Sequence, residues 1–217
     1  MSQTQSNESS EALFELIAND LIEKGYSINS GVLPVELAES LFQHLRIMNR
    51  EQFEKAGIGR DSDHMMNKTV RSDEICWIND ESEAGENWLN WASGLQQYVN
   101  RRLFLGLFSF ESHFASYQKG DLYKRHLDAF KGQTNRVLSM VVYLNKEWSE
   151  EDGGELVLYQ DEEDKTGINV LPTFGTVVVF LSEEFPHEVL PAQKERFSIA
   201  GWFRVNTSQK DRVDPPR

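Results

Sequence analysis

The sequence predicts a helical layer packed on a β-sandwich or barrel. Three observations carry this. The first half holds apolar residues at helical spacing. From residue 107 onward the apolar runs are short and rich in Val, Phe and Tyr. Turn signals separate those runs. A chain of 217 residues can build one domain with a proper core, or a core plus a helical flank.

The elements follow in order. Residues 1–9 are polar and are expected to be disordered. Ser10 is the expected cap of a first helix that carries Leu13, Leu16, Ile17 and Leu21 on one face and ends at Gly25. Pro34 suits the first turn of a second helix, striped by Leu37, Leu41, Leu45 and Met48. Residues 57–73 (GIGRDSDHMMNKTVRSD) are polar and poorly periodic, and read as a mobile loop before the apolar run ICWI at 75–78. A third helix over 86–104 turns Leu89, Ala92, Leu95 and Val99 inward. The strand-like runs are LFSFESHFASY, RVLSMVVYL, ELVLY, INVL, TVVVFL, HEVL and RFSIAGWFR. Between them lie KGD at 119–121, KGQTN at 131–135, DGG at 152–154 and PTFG at 172–175. The expected organisation is one domain over 10–205, with helical support and the loop in 10–105 and the β core in 106–205. A polar tail over 206–217 is expected to fray.

Composition removes several function classes. The net charge is −13, and the 22 Lys and Arg are too mixed with acids to make a phosphate-tracking stripe, which argues against a nucleic-acid partner. The single cysteine, Cys76, excludes an intrachain disulfide and a Cys-based zinc site, and suits a cytoplasmic setting. The opening MSQTQSNESS lacks the basic patch and apolar core of a signal peptide. No apolar run approaches the roughly 20 residues that span a bilayer, so no membrane partner is expected.

The chemistry starts at YKRHLDAF, residues 123–130. Residues two apart on a strand share a face, so His126 and Asp128 project together. A metal with nitrogen and oxygen ligands needs a third donor, and His187, opening HEVL, is the best candidate. Two imidazoles and one carboxylate on one face of an iron leave three positions open, the arrangement of non-haem Fe(II) oxygenases. Arg196 comes nine residues after His187, and a short turn over 190–195 is expected to set it on the strand beside His187. Arg196, Ser198, Ala200 and Trp202 share parity. A lone inward Arg needs an anion, because an unpaired buried charge is costly. A small co-substrate's carboxylate would serve, bidentately, with the Tyr143 hydroxyl as a second donor. Phe108, Phe110, Phe114 and Phe180 read as core. His44, His64 and His113 read as structural or surface, and Gly153 and Gly154 as a tight turn.

Together these residues resemble a family. HxD, a strand ending in Tyr, GGxL, then a distal His with Arg nine residues on is the order found in 2-oxoglutarate- and Fe(II)-dependent dioxygenases. More narrowly, YQKGDLYKRHLD, VVYLNKEW, GGELVLY, PHEVLPA, RFSIAGWF and VRSDEICWI resemble the prolyl hydroxylases related to the oxygen-sensing enzymes of hypoxia-inducible factor. The resemblance covers residues 25–205. Arg196, where collagen-type prolyl hydroxylases carry Lys, favours the sensor-type branch.

The resemblance implies a double-stranded β-helix, or jelly-roll, with N-terminal helices. It implies that His126, Asp128 and His187 hold Fe(II), and that 2-oxoglutarate chelates the metal while its far carboxylate meets Arg196 and Tyr143. Tyr117 and Trp202 would line the co-substrate pocket. Arg136 at the rim, with Arg71, Asp73 and Trp77 on or near the loop, would face the substrate, and Arg71 and Asp73 would pair and set the loop's resting shape. The implied reaction is hydroxylation of a protein's prolyl residue to 4-hydroxyproline, with O2 consumed, succinate and CO2 released, and ascorbate keeping the iron reduced. An abundant protein with an exposed proline, such as elongation factor Tu, is the expected kind of partner for a bacterial member. The alternatives are an oxygenase of a free amino acid or other small molecule, and a jelly-roll that only binds. A nucleic-acid demethylase is disfavoured by the charge.

Overall fold

The computed structural model describes residues 3–56, 70–129 and 135–206. The expected mobile loop up to residue 69, with His64, lies outside the described residues. So do the KGQTN turn up to residue 134 and the tail beyond residue 206.

The chain folds as α1 (Gln3–Lys24), β1 (Tyr26–Asn29), α2 (Val35–Ile47), β2 (Glu54–Lys55), β3 (Glu74–Trp77) and α3 (Glu83–Leu103). Then come β4 (Leu107–Tyr117), β5 (Tyr123–His126), β6 (Arg136–Tyr143), β7 (Leu156–Leu158), β8 (Ile168–Val170), β9 (Val177–Leu181), β10 (His187–Val189) and β11 (Arg196–Val205). The first helix starts at Gln3, so Ser10 is an interior residue rather than a cap and the expected disordered tail is helical from residue 3. Nothing in QTQSNESS stops a helix, since it holds neither Gly nor Pro. Pro34 sits one residue before α2, where its carbonyl accepts the N–H of Ala38. Ser82 caps α3, its hydroxyl accepting the N–H of Gly85 at 3.0 Å. Strand β1 was not anticipated; four residues are too few to reveal a period.

The strands form two antiparallel sheets. One has seven strands in the order β1-β9-β6-β11-β4-β3-β2, the other four in the order β5-β10-β7-β8. Alternation decides the layering. In the large sheet Leu138, Met140, Val142, Val177, Val179 and Phe203 join Leu41, Trp88, Leu95 and Val99 of the helices in one buried cluster. The intervening residues, including Tyr143, Val178 and Phe180, pack with Leu156, Leu158 and Val189 of the small sheet. This is the double-stranded β-helix that the resemblance implies, with the helices covering one face of the larger sheet. Of the four phenylalanines read as core, Phe114 and Phe180 are buried, whereas Phe108, near the start of β4, is 44% exposed.

Candidate active site

The interior between the sheets opens as a pocket, and most of the expected site residues line it. Its metal-binding end is set by strand register. His187 of β10 is the direct cross-strand partner of His126 of β5, so both imidazoles stand side by side on one face, with ring centroids 4.3 Å apart. Asp128 follows β5 and reaches both: each of its oxygens lies 3.6 Å from one histidine Nε2. Donor atoms of all three residues lie within 4.8 Å of one another.

Each donor is held from behind. His126 Nδ1 lies 2.8 Å from the carbonyl of Lys124, and His187 Nδ1 lies 3.1 Å from that of Phe185. Carbonyls accept only, so both Nδ1 atoms donate and both Nε2 atoms are the ones turned toward Asp128. Ser139 donates to Asp128 at 2.6 Å and is itself linked to Ser182 at 2.9 Å. Burial opposes ionisation of Asp128, but His187, His126 and Arg136 outweigh it and hold the carboxyl well below its usual range. Burial, reinforced by His126, pushes His187 down to about 4. At neutral pH Asp128 is a carboxylate and His187 a neutral imidazole, the forms in which these groups ligate a divalent first-row cation.

The other end is built around Arg196, 1% exposed. Its Nε donates to the Gly154 carbonyl at 2.8 Å and Nη1 to the Ser198 hydroxyl at 3.2 Å. The guanidinium carbon lies 4.9 Å from the ring centroids of both Tyr117 and Tyr143. No carboxylate pairs with it among the described residues. The Tyr143 hydroxyl is fully buried with no hydrogen-bond partner among the described residues, and burial, opposed by Arg196, pushes it up to about 12. A buried cation without an anion and an orphaned hydroxyl beside it make an anion site. These residues fit a small dicarboxylate bridging from the metal-binding end.

One expectation is corrected. Arg196 does not lie on a strand next to His187. The neighbours of β10 are β5 and β7 in the small sheet, whereas β11 runs between β4 and β6 in the large one. Residues 190–195 cross between the layers. Strand β10 ends at Val189, and an isolated antiparallel bridge joins Gly153 to Ala192 beyond it. The crossing is tied down where Gly120 and Gly154 donate to the carbonyls of Ala192 and Pro191, and Gln193 donates to that of Asp152.

Gly154, read as a turn residue, also serves the site. At its φ of +73° an added Cβ would lie 2.8 Å from Ala192 Cβ and 3.1 Å from Arg196 Cδ. Gly154→Ala is expected to destabilise the fold by ~1–3 kcal/mol and to weaken dicarboxylate binding. Thermal denaturation and a 2-oxoglutarate titration check this.

The remaining predicted residues divide. Tyr117 sits beside Arg196, but Trp202 lies six residues along β11, roughly 20 Å away for an extended strand. Trp202 is at the metal end, as the cross-strand partner of Ser139. Arg136 stacks on its ring at 3.7 Å and donates to Glu111 at 3.1 Å. Trp77 is 52% exposed, with its ring edge-on to His113 at 5.3 Å. Arg71 and Asp73 form a bidentate ion pair, as expected.

Besides the supporting roles of Ser139 and Ser198, the sequence reading misses two aromatic site residues. His113, read as structural or surface, is 1% exposed, lines the pocket and touches both Trp77 and Trp202; burial, then Arg71, pushes it down to about 3. It shares strand parity with Tyr117, which would have revealed it. Tyr123 also lines the pocket, stacked on His126. Its nearness to His126 in sequence was the only signal.

Comparison with known proteins agrees with this geometry. A family model described as the 2OG-Fe(II) oxygenase superfamily matches residues 112–204, the stretch that holds the three donors and Arg196. The crystal structure of a Pseudomonas putida prolyl-4-hydroxylase is 38% identical, with 88% of this chain and 98% of that chain covered and a TM-score of 0.78. A Trichoplax adhaerens prolyl hydroxylase, solved with a hypoxia-inducible-factor peptide, shares the fold at a TM-score of 0.80 and 24% identity, over 94% of each chain. Human Egl nine homolog 1 is 28% identical over 145 residues, or 63% of this chain, which spans 33% of that protein. Fold, donor set and these similarities agree: the chain belongs to the 2OG-Fe(II) oxygenase superfamily.

Proposed function

We propose that the protein is a 2-oxoglutarate- and Fe(II)-dependent dioxygenase that hydroxylates a prolyl residue of a protein substrate. The observation that carries this is the pairing, in one pocket, of a two-histidine, one-carboxylate donor set with a buried arginine that has no carboxylate partner among the described residues. His126, Asp128 and His187 would hold the iron. Arg196 and Tyr143 would bind the far carboxylate of 2-oxoglutarate, beside Tyr117. The loaded metal supplies oxidative decarboxylation, with succinate and CO2 as products, and oxidation of an unactivated C–H bond. The chain's own part is positional. The register of β5 and β10 fixes the donors, Ser139 holds Asp128, and the walls exclude water. The similarity to prolyl hydroxylases supports a prolyl target, and 4-hydroxyproline is the expected product, with ascorbate as the reductant.

Incubating the protein with native lysate, Fe(II), ascorbate and 2-oxoglutarate, then searching the proteome for a proline that gains one oxygen, tests the reading. A hydroxyproline dependent on enzyme and co-substrate supports it. Succinate release driven only by a free amino acid would move the substrate to small molecules. No succinate with any peptide, despite bound iron, would leave a binding module.

A further inference from the structure

The sequence reading puts Arg71 and Asp73 on the substrate side. In the folded chain Arg71 lines the pocket and the pair also backs a metal-site residue. Asp73 is 1% exposed and accepts from Arg71 Nε at 2.7 Å and Nη2 at 2.9 Å. The Arg71 guanidinium carbon lies 4.6 Å from the Tyr123 ring centroid. That ring stacks on His126, with 3.6 Å between centroids and 16° between planes. The result is a column: carboxylate, guanidinium, phenol, imidazole.

Backbone bonds hold the column. Arg71 and Tyr123 form an antiparallel bridge. Lys124 donates to the Val70 carbonyl at 2.8 Å, Ser72 to that of Leu122 at 3.2 Å, and Leu122 returns a bond to the Ser72 hydroxyl at 2.9 Å. Ala56 donates to the Asp73 carbonyl at 3.0 Å.

The two histidines differ in how much else restrains them. His187 sits on β10, which has strand neighbours on both sides, and its ring packs on Phe180 at 4.8 Å. His126 ends β5, an edge strand of the small sheet, and its side chain is 18% exposed against 7% for His187. One hydrogen bond to Lys124 fixes its Nδ1, but the bond alone leaves the ring plane free to rock. The Tyr123 face fixes that plane, and a cation over the far side of an aromatic ring holds the ring in turn.

We propose that Tyr123, Arg71 and Asp73 are positioning residues that orient His126 and set metal affinity. The inference rests on the reading of His126 as a metal ligand. Partners behind a ligand are typically worth about 10–100-fold in metal affinity.

Co(II) is the probe, titrated into the full chain and read by its d–d absorption. Tyr123→Leu is expected to weaken binding by about tenfold or more and to change the spectrum. Tyr123→Phe, which keeps the ring, is expected to preserve both. Arg71→Met is expected to weaken binding in the same direction. Wild-type affinity and spectrum in a folded Tyr123→Leu would overturn the proposal. Should circular dichroism show Tyr123→Leu unfolded, Arg71→Met decides: unchanged affinity overturns the proposal and a loss supports it. Wild-type protein that binds Co(II) yet never releases succinate rejects the proposed activity and leaves this comparison standing. Wild-type protein that binds no Co(II) rejects the ligand reading and the column's role together.

Discussion

Arg196→Ala is expected to raise the apparent Michaelis constant for 2-oxoglutarate by about 30-fold or more, with metal binding in place. The guanidinium is buried, and its Nε and Nη1 already serve Gly154 and Ser198. Those two bonds point the rest of the fork at the pocket. A charge-assisted, bidentate contact in such surroundings is worth about 2–4 kcal/mol, which converts to roughly 30- to 1,000-fold in affinity. Truncation also leaves the Gly154 carbonyl without its donor, so some loss of stability accompanies it. Arg196→Lys keeps the charge but not the fork, and should fall between the two. Succinate formation against 2-oxoglutarate concentration, beside a Co(II) titration, separates the ends of the pocket. An unchanged Michaelis constant would remove Arg196 from the co-substrate site.

His187→Ala should do the opposite: metal binding lost, and turnover with it. His187 is the cross-strand partner of His126 and shares Asp128 with it, so its removal leaves two donors facing a gap. The expected loss exceeds the roughly 10–100-fold that outer partners of a ligand contribute. The fold should survive, because the substitution removes one hydrogen bond to the Phe185 carbonyl and the ring contacts with His126 and Phe180 while leaving the β10 backbone pairing in place. Co(II) titration with a circular dichroism control checks both points. Retained affinity in a folded His187→Ala protein would mean that the metal sits elsewhere.

What the sequence reveals and what it hides divide along physical lines. Strand periodicity is local, so the parity of Arg196 with Trp202 and that of Ser139 with Tyr143 are legible; His126 and Asp128 do meet, but Asp128 lies in the bend after β5 rather than on the strand that the spacing implied. Sheet membership is not local. Nothing in LPAQKE says whether the chain turns back to the adjacent strand or crosses to the opposite layer, and the expected hairpin was the wrong choice. Cross-strand partners such as Ser139 and Trp202 are hidden for the same reason. Helix starts were misplaced where polar residues neither demand nor forbid a helix, as before Ser10. The stack of Tyr123 on His126 needs ring geometry, which no spacing rule supplies.

The crossing at 190–195 has one more consequence. It fastens a donor-bearing strand in one layer to the guanidinium-bearing strand in the other, and backbone bonds to two neighbouring turns keep it from stretching. The connection therefore acts as a spacer between the strand that carries His187 and the strand that carries Arg196. On the proposed reading, the choice among diacids of different length is written into the strand connection. A longer or shorter connection would move the two ends of the pocket apart or together and change the length of diacid that fits.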